Sequence, residues 1–221
     1  MTAIKTIAIV GATGNMGSAI STTLAKTGHY RLLLMANDQE KLVELKSQLD
    51  RSGTAADIYT ISCAREASWE ADIIIVATPY DAEKNVAEKI REVATGKIVI
   101  SISNPLDSSY NKLVTSPDTS AAEELQKLLP NSKVVKTFNT TFAANFITPV
   151  IEGKKADAFI AGNNGDAVEV VSKVVADAGF NPIIAGDLTV SRTLERMQLM
   201  LIQLNMKYNY NWLAGWKILH H

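Results

Sequence analysis

Three glycines at a fixed spacing, Gly11, Gly14 and Gly17, end an apolar run and open a helical one. The run Ile4 to Val10, broken by Lys5 and Thr6, predicts a buried strand. Met16, Ile20 and Leu24, four apart, predict a helix that closes at Gly28. Strand, glycine turn and helix in that order form the entry to a dinucleotide-binding βαβ unit. Glycine takes backbone angles closed to other residues and carries no side chain to keep a pyrophosphate from the peptide N–H groups. Those groups point out of a helix N-terminus, where the helix dipole favours an anion. The spacing is G-x-x-G-x-x-G, a variant of the commoner G-x-G-x-x-G. A purely structural tight turn is the competing reading, and the flanking strand and helix weigh against it.

The rest of the chain repeats the alternation. Tyr30 to Met35 predicts a second strand, and Leu42, Leu45 and Leu49 a second helix. Asn37 and Glu40 before that helix have the form of a capping box. Short or apolar strands are expected at Ile58 to Ile61, Ala71 to Thr78 (stopped by Pro79), Lys97 to Ile102 and Val134 to Phe138. Further strands follow at Ala156 to Ala161 and Asn181 to Ala185. Helices are expected over Val86–Val93, after Ser120 with its Glu123, and from Asn164 through Val175. This is the signature of an α/β fold, a Rossmann-type doubly wound, mainly parallel sheet with a small C-terminal α/β extension. With no linker visible, we expect one α/β unit over 1–221, a dinucleotide-binding core over 1–141 and an extension with a final helix over 142–221. That last helix has two apolar stripes, one through Leu194, Met197, Leu201 and Leu204, the other through Leu199, Ile202 and Met206. It must be buried on two faces, inside the core or against a second subunit. The aromatic run from Tyr208 to Trp216 fits a core cap, a planar pocket or a subunit contact.

Bulk properties narrow the partners. A formal net charge of −1 gives no basic face for nucleic acid. No apolar stretch approaches the roughly 20 residues that span a bilayer, and no signal peptide is visible. The single cysteine, Cys63, excludes an internal disulfide, fits a reducing cytoplasm and reads as a small buried hydrophobe. His220 and His221 are given no role. Acid/base residues are scarce: His29 is the one internal histidine, and no Tyr-x-x-x-Lys spacing is present. Hydride transfer between stacked planar rings needs proximity and orientation more than an acid or base. Alcohol oxidation, which needs a proton acceptor, is less favoured. Ligands of such sheets bind outside the carboxyl ends of the strands. That rule selects Gly11, Thr13, Gly14, Asn15 and Met16 around a pyrophosphate. It also selects Thr78, Pro79 and Tyr80 beside ribose or nicotinamide, then Asn104, and Asn139 with Thr140. For each of the later strand ends a plain turn is the competing reading. No metal site and no dedicated catalytic residue is predicted.

Taken together, Gly-Ala-Thr-Gly-Asn-Met-Gly at 11–17, Ala36 to Lys41, Thr-Pro-Tyr at 78–80, Lys-Thr-Phe-Asn-Thr at 136–140 and Ala-Gly-Phe-Asn-Pro-Ile-Ile-Ala-Gly-Asp-Leu at 178–188 give a chain that resembles the coenzyme F-420-dependent NADP oxidoreductase family nearly end to end. The resemblance implies a Rossmann-type domain with a small C-terminal portion, a homodimer through that portion, and hydride transfer between NADP(H) and a planar flavin- or deazaflavin-like acceptor. It also marks a departure. Where the family carries Ser-Arg and then Lys to grip the 2′-phosphate of NADP, this chain has Ala36, Asn37 and Lys41. Asparagine cannot supply arginine's bidentate charged grip. Asp38 could accept from a free ribose 2′-hydroxyl, so NAD stands beside NADP. The alternative function is an atypical short-chain-reductase-like redox sensor, whose first motif also reads Gly-Ala-Thr-Gly-Asn-x-Gly and which binds NADP without turnover.

Overall fold

A computed structural model describes residues 4–220. Alternating apolar side chains build its central sheet. In β1 (Lys5–Val10), Ile7 and Ile9 face one layer of core while Ala8 and Val10 face the other. β4 (Ile73–Val76) divides in the same way, Ile73 and Ile75 against Ile74 and Val76. A strand apolar on both faces must be covered on both faces. α1 (Asn15–Thr27), α2 (Gln39–Arg51) and α6 (Gly165–Asp177) cover one side with Leu24, Leu42 and Val171. α3 (Ala64–Glu70), α4 (Tyr80–Ile90) and α5 (Ala121–Leu128) cover the other with Ala67, Val86 and Leu125.

The remaining strands are β2 (Tyr30–Met35), β3 (Ile58–Ile61), β5 (Ile98–Ser101), β6 (Lys133–Lys136), β9 (Asp157–Gly162) and β10 (Asn181–Gly186). A two-strand ribbon, β7 (Val150–Ile151) and β8 (Lys154–Lys155), stands apart. The eight-stranded sheet runs β10-β9-β6-β5-β4-β1-β2-β3. Its strands from β3 through β6 follow the order of a dinucleotide-binding Rossmann sheet, with the switch point between β1 and β4. Within this sheet the pairings are parallel except β6 with β9, and the separate β7–β8 ribbon is antiparallel. The mainly parallel doubly wound fold expected from the sequence is therefore present. The reversal at β9 has a consequence for the last helix, α7 (Ser191–Tyr208). β10 ends at the edge opposite the carboxyl ends of β1 to β6. α7, 18 residues long and about 27 Å by its rise per residue, then runs back towards those ends.

Several local expectations change. Asp38, not Asn37, caps α2: its carboxylate accepts the Lys41 N–H at 3.0 Å. Asn37 lies one residue too early, and Asp38 takes the cap because Lys41 N–H is then three residues on. Cys63 is exposed at the start of α3 rather than buried, since the strand before it ends at Ile61. α3 itself was not expected; it is one short stretch of seven residues. β6 stops at Lys136 because Phe138 turns left-handed, with φ of 60°. On α7 the buried face is partly polar. Glu195, Gln198 and Asn205 are buried with Leu194, Leu201 and Ile202, while Met200 and Met206 are exposed. Among the described residues, no helix is long and apolar enough to cross a membrane and no His/Cys/Asp/Glu group could hold a metal. His221 lies outside the described residues.

Candidate nucleotide and acceptor site

The glycine turn is tight on two of its three glycines. Gly11 has φ of 93°, and a Cβ there would stand 2.5 Å from the Ala77 carbonyl oxygen. A Cβ at Gly17 would overlap the Gly11 carbonyl oxygen. Packing of β1, β4 and α1 alone therefore requires glycine at both positions. Gly14 differs: its Cβ would meet nothing closer than 3.4 Å, at Gly11 O, and its φ is −70°. The chain's own packing leaves that position open, as close approach by a ligand would need.

The start of α1 carries the complementary feature. Gly14 is its N-cap and makes no side-chain cap, and the first turn has no acid. The first intrahelical bond is Ser18 N–H to Gly14 O, 2.8 Å. The N–H groups of Asn15, Met16 and Gly17 thus precede the helical ladder. By contrast, α2, α5 and α6 are capped by Asp38, Ser120 and Asn164, each with an acid in the first turn. Unpaired N–H groups, a positive dipole end and a bare backbone fit a pyrophosphate.

The β2–α2 corner lies next along the edge. Ala36 is buried and its carbonyl accepts the Gln39 side-chain amide at 2.7 Å. Asn37 is exposed and makes no side-chain bond among the described residues. Lys41 Nζ lies 3.2 Å from Asp38 Oδ2. The backbone N–H of Lys41, and then its ammonium, hold the Asp38 carboxyl below the usual carboxylate range. The one cation retained from the family pattern is thus already paired.

A cavity of about 570 Å³ runs along α1 from Asn15 and Met16 to Lys26, within the range of small-molecule sites. Asn15, Met16, Asn104 and Asn139 line it, as do Tyr110, Phe142, Gln198, Ile202 and Trp212. Phe142 and Trp212 meet edge to face at 5.2 Å. Of the readings open for the Tyr208–Trp216 run, Trp212 fits the planar pocket, whereas Trp216 packs against the small core around Phe142 and Leu201. Thr13 sits in the turn, and Thr78 touches it, its Cγ2 lying 3.2 Å from where a Gly11 Cβ would stand. Pro79 caps α4. Tyr80 turns away from the cavity: its hydroxyl donates to Glu124 on α5 at 2.5 Å. Burial, then that carboxylate, push its pKa up. His29 pairs with Asp177 at 3.1 Å beyond the far end of α1 and does not line the cavity.

Sequence reasoning missed a buried charge network at the α7 side. Lys136 Nζ donates to the Ser103 carbonyl at 2.5 Å and to Glu195 Oε1 at 2.7 Å. Both side chains are fully buried. Glu195 Oε2 accepts the Ala121 N–H at 3.2 Å. Glu83, 3 % exposed, joins this group. Burial raises its pKa to about 7, against the opposing pull of Lys136. None of the three lines the cavity; they fix α7 to β6. The partners are 59 residues apart in sequence, and no local pattern marks them.

The family model described as NADP oxidoreductase, coenzyme F-420-dependent, matches residues 6–105. The F-420-dependent NADP reductase of Methanocaldococcus jannaschii is 32% identical over 211 residues, covering 91% of this chain and 93% of the relative. The chain belongs to the coenzyme F-420-dependent NADP reductase family. The reductase of Methanothermobacter marburgensis is 27% identical, with 91% and 92% covered. Among solved structures, one assigned as an F-420-dependent NADP reductase from Arthrobacter sp. FB24 matches with a TM-score of 0.84. It is 24% identical, and the match covers 97% of this chain and 99% of that one. A pyrroline-5-carboxylate reductase from Coxiella burnetii has the same fold, with a TM-score of 0.67 at 17% identity and coverage of 93% and 69%. Members of the reductase family are oxidoreductases, and the open turn at Gly14 is compatible with the nucleotide in their name.

Proposed function

We propose that the chain transfers a hydride between NADP(H) and a planar deazaflavin- or flavin-like acceptor. Supporting this reading is one juxtaposition: Asn15 and Met16, at the uncapped N-terminus of α1 just after the open Gly14, also line the aromatic cavity. The nucleotide supplies a hydride, which the acceptor ring takes up together with one proton. The chain's part is to bind and orient. Gly11, Thr13, Gly14, Asn15 and Met16 hold the pyrophosphate. Ala36, Asn37 and Lys41 face the 2′ position. Thr78 and Pro79 pass the ribose, and Asn104 and Asn139 flank the ring end. Tyr80 contributes through its backbone position, since its hydroxyl is committed to Glu124.

NAD is an alternative nucleotide, because Asp38 pairs with the only cation of the corner. We assign residues 1–141 to nucleotide binding and 142–221 to an extension that closes the cavity, with homodimer formation through the extension and a cytoplasmic location. Fluorescence titration with NADPH and NADH tests the first half. Mixing bound NADPH with coenzyme F-420 or flavin mononucleotide, followed at the nicotinamide absorption band, tests the second. Absence of binding by either nucleotide sinks the proposal; binding without transfer to either acceptor restores the redox-sensor alternative.

A further inference from the structure

The Asn104 and Asn139 amides fix one another's orientation. Asn104 Nδ2 donates to the Asn139 backbone carbonyl at 2.9 Å, and Asn104 Oδ1 accepts from Asn139 Nδ2 at 2.9 Å. A backbone carbonyl can only accept, so the Asn104 NH₂ must face it. That choice settles both amides, an assignment otherwise open to a flip. One atom is left over. Asn139 Oδ1 is buried, in a residue 1 % exposed, with no donor among the described residues.

The backbone is strained to place it there. Phe138, immediately before, is fully buried at φ of 60°, a conformation bulky residues avoid. Phe146 and Phe180 hold its ring at 5.2 and 6.1 Å. Thr141 Oγ1 donates to its carbonyl at 2.7 Å. Strain kept in place beside a cavity points to a use for the next residue.

A second such oxygen belongs to another residue of the same cavity lining. Gln198 on α7 lines the cavity, is 3 % exposed, and its Oε1 has no donor. The only other unpartnered buried side-chain amide or carboxylate oxygen among the described residues is Glu83 Oε1, in the charge network. An unpaired buried acceptor is costly, and a ligand that displaces water from it must bring a donor of its own.

We propose that Asn139 and Gln198 are ligand-binding acceptors that take up amide-type N–H groups on the edge of a planar ring, with Asn104 as the positioning residue. This rests on reading the cavity as the site of nucleotide and acceptor. Two sources share that chemistry: the carboxamide of nicotinamide, and the imide N–H of a flavin or deazaflavin ring.

The test uses the full chain and two matched probe pairs. NADP⁺ is compared with its 3-acetylpyridine analogue, which keeps the carbonyl and lacks the N–H. 5-Deazariboflavin is compared with its N3-methyl derivative. Affinities are read by isothermal titration. At least one analogue should bind the wild type tenfold or more weakly than its parent, and the pair that discriminates identifies the source. Asn139→Leu and Gln198→Met should each bring that ratio towards one. Met is a good helix former, so Gln198→Met keeps the test available should Asn139→Leu not fold. Parents and analogues binding alike, or discrimination surviving in every folded variant, overturns the inference and leaves the proposed function standing. Failure of both parents to bind overturns the two together.

Discussion

At the β1–α1 turn, the groups proposed to meet the pyrophosphate are backbone. Nothing but N–H groups and a missing side chain stands between Gly14 and the first turn of α1, and the packing beneath is hydrocarbon and peptide. At the β6–α7 side, the groups that face the same cavity are side chains, Asn139 and Gln198. They are held by further side chains, Asn104 in one case and the Lys136–Glu195 pair in the other. The first arrangement works through a contiguous stretch and tolerates almost any residue elsewhere. The second depends on residues from the segments after β5 and β6, from the end of β6 and from α7 arriving together, and its supports include buried charges. The difference teaches where each end is vulnerable: substitution at Gly14 should fail in binding without failing in folding, and loss of the buried Lys136–Glu195 pair behind α7 should do the reverse.

The largest expected effect tests the second half of that contrast. Glu195→Ala leaves the Lys136 ammonium buried and unpaired, and should cost about 3–5 kcal/mol in denaturant unfolding. Lys136→Met combined with Glu195→Leu should recover most of it. A loss under about 1 kcal/mol would mean the pair does not carry α7. Next, Gly14→Val should weaken NADPH binding by about 100-fold or more, equivalent to about 2.7 kcal/mol. Its unfolding midpoint should hardly move, because a Cβ there meets ordinary van der Waals distances. Tight binding by the variant would make the turn structural only.

Smaller effects refine the comparison. Asn37→Arg adds a cation that Asp38 does not already hold, and should tighten NADPH binding by about 1–3 kcal/mol without changing NADH. Equal gains for both nucleotides would place the 2′-phosphate elsewhere. Last, Glu83 carries a pH signature. Its folded pKa of about 7 lies above the unfolded value of 4.5, so the folded state holds a proton that the unfolded state has lost between those values. The stability this contributes is complete below pH 4.5 and falls as pH rises towards 7, at about 1.4 kcal/mol per pH unit. Glu83→Gln should remove that slope in urea unfolding measured from pH 5 to 8. An unchanged slope would assign it to another group.

What could be read from the chain alone follows the same division. β2 and β3 fall on the expected residues, and α1 ends at Gly28 as its period required, because these depend on neighbours in sequence. Asn15, Met16, Asn104 and Asn139 were selected by a rule about strand ends, and the fold brings all four to one cavity. The capping error at Asn37 is a shift of one residue, within what a propensity for Asn, Asp and Ser can resolve. Gln198 and the Lys136–Glu195 pair were hidden for a different reason. α7 was read by its apolar stripes, and a polar residue inside such a stripe looks like noise until the partner strand is beside it. Tyr80 was placed by its backbone position, whereas the direction of its ring is decided by Glu124 on a separate helix.

The reversal of β9 against β6 has an evolutionary reading. Because the chain turns over there, α7 returns to the cavity as an element added after the last strand, with Gln198 and Ile202 on its lining face. Exchanging a few positions along that one helical face, Gln198 and Ile202 among them, would re-shape which ring is admitted while leaving the pyrophosphate cradle untouched. Under the proposed function, diversification of the acceptor would then proceed by point substitution in the last quarter of the chain, with the electron donor held constant.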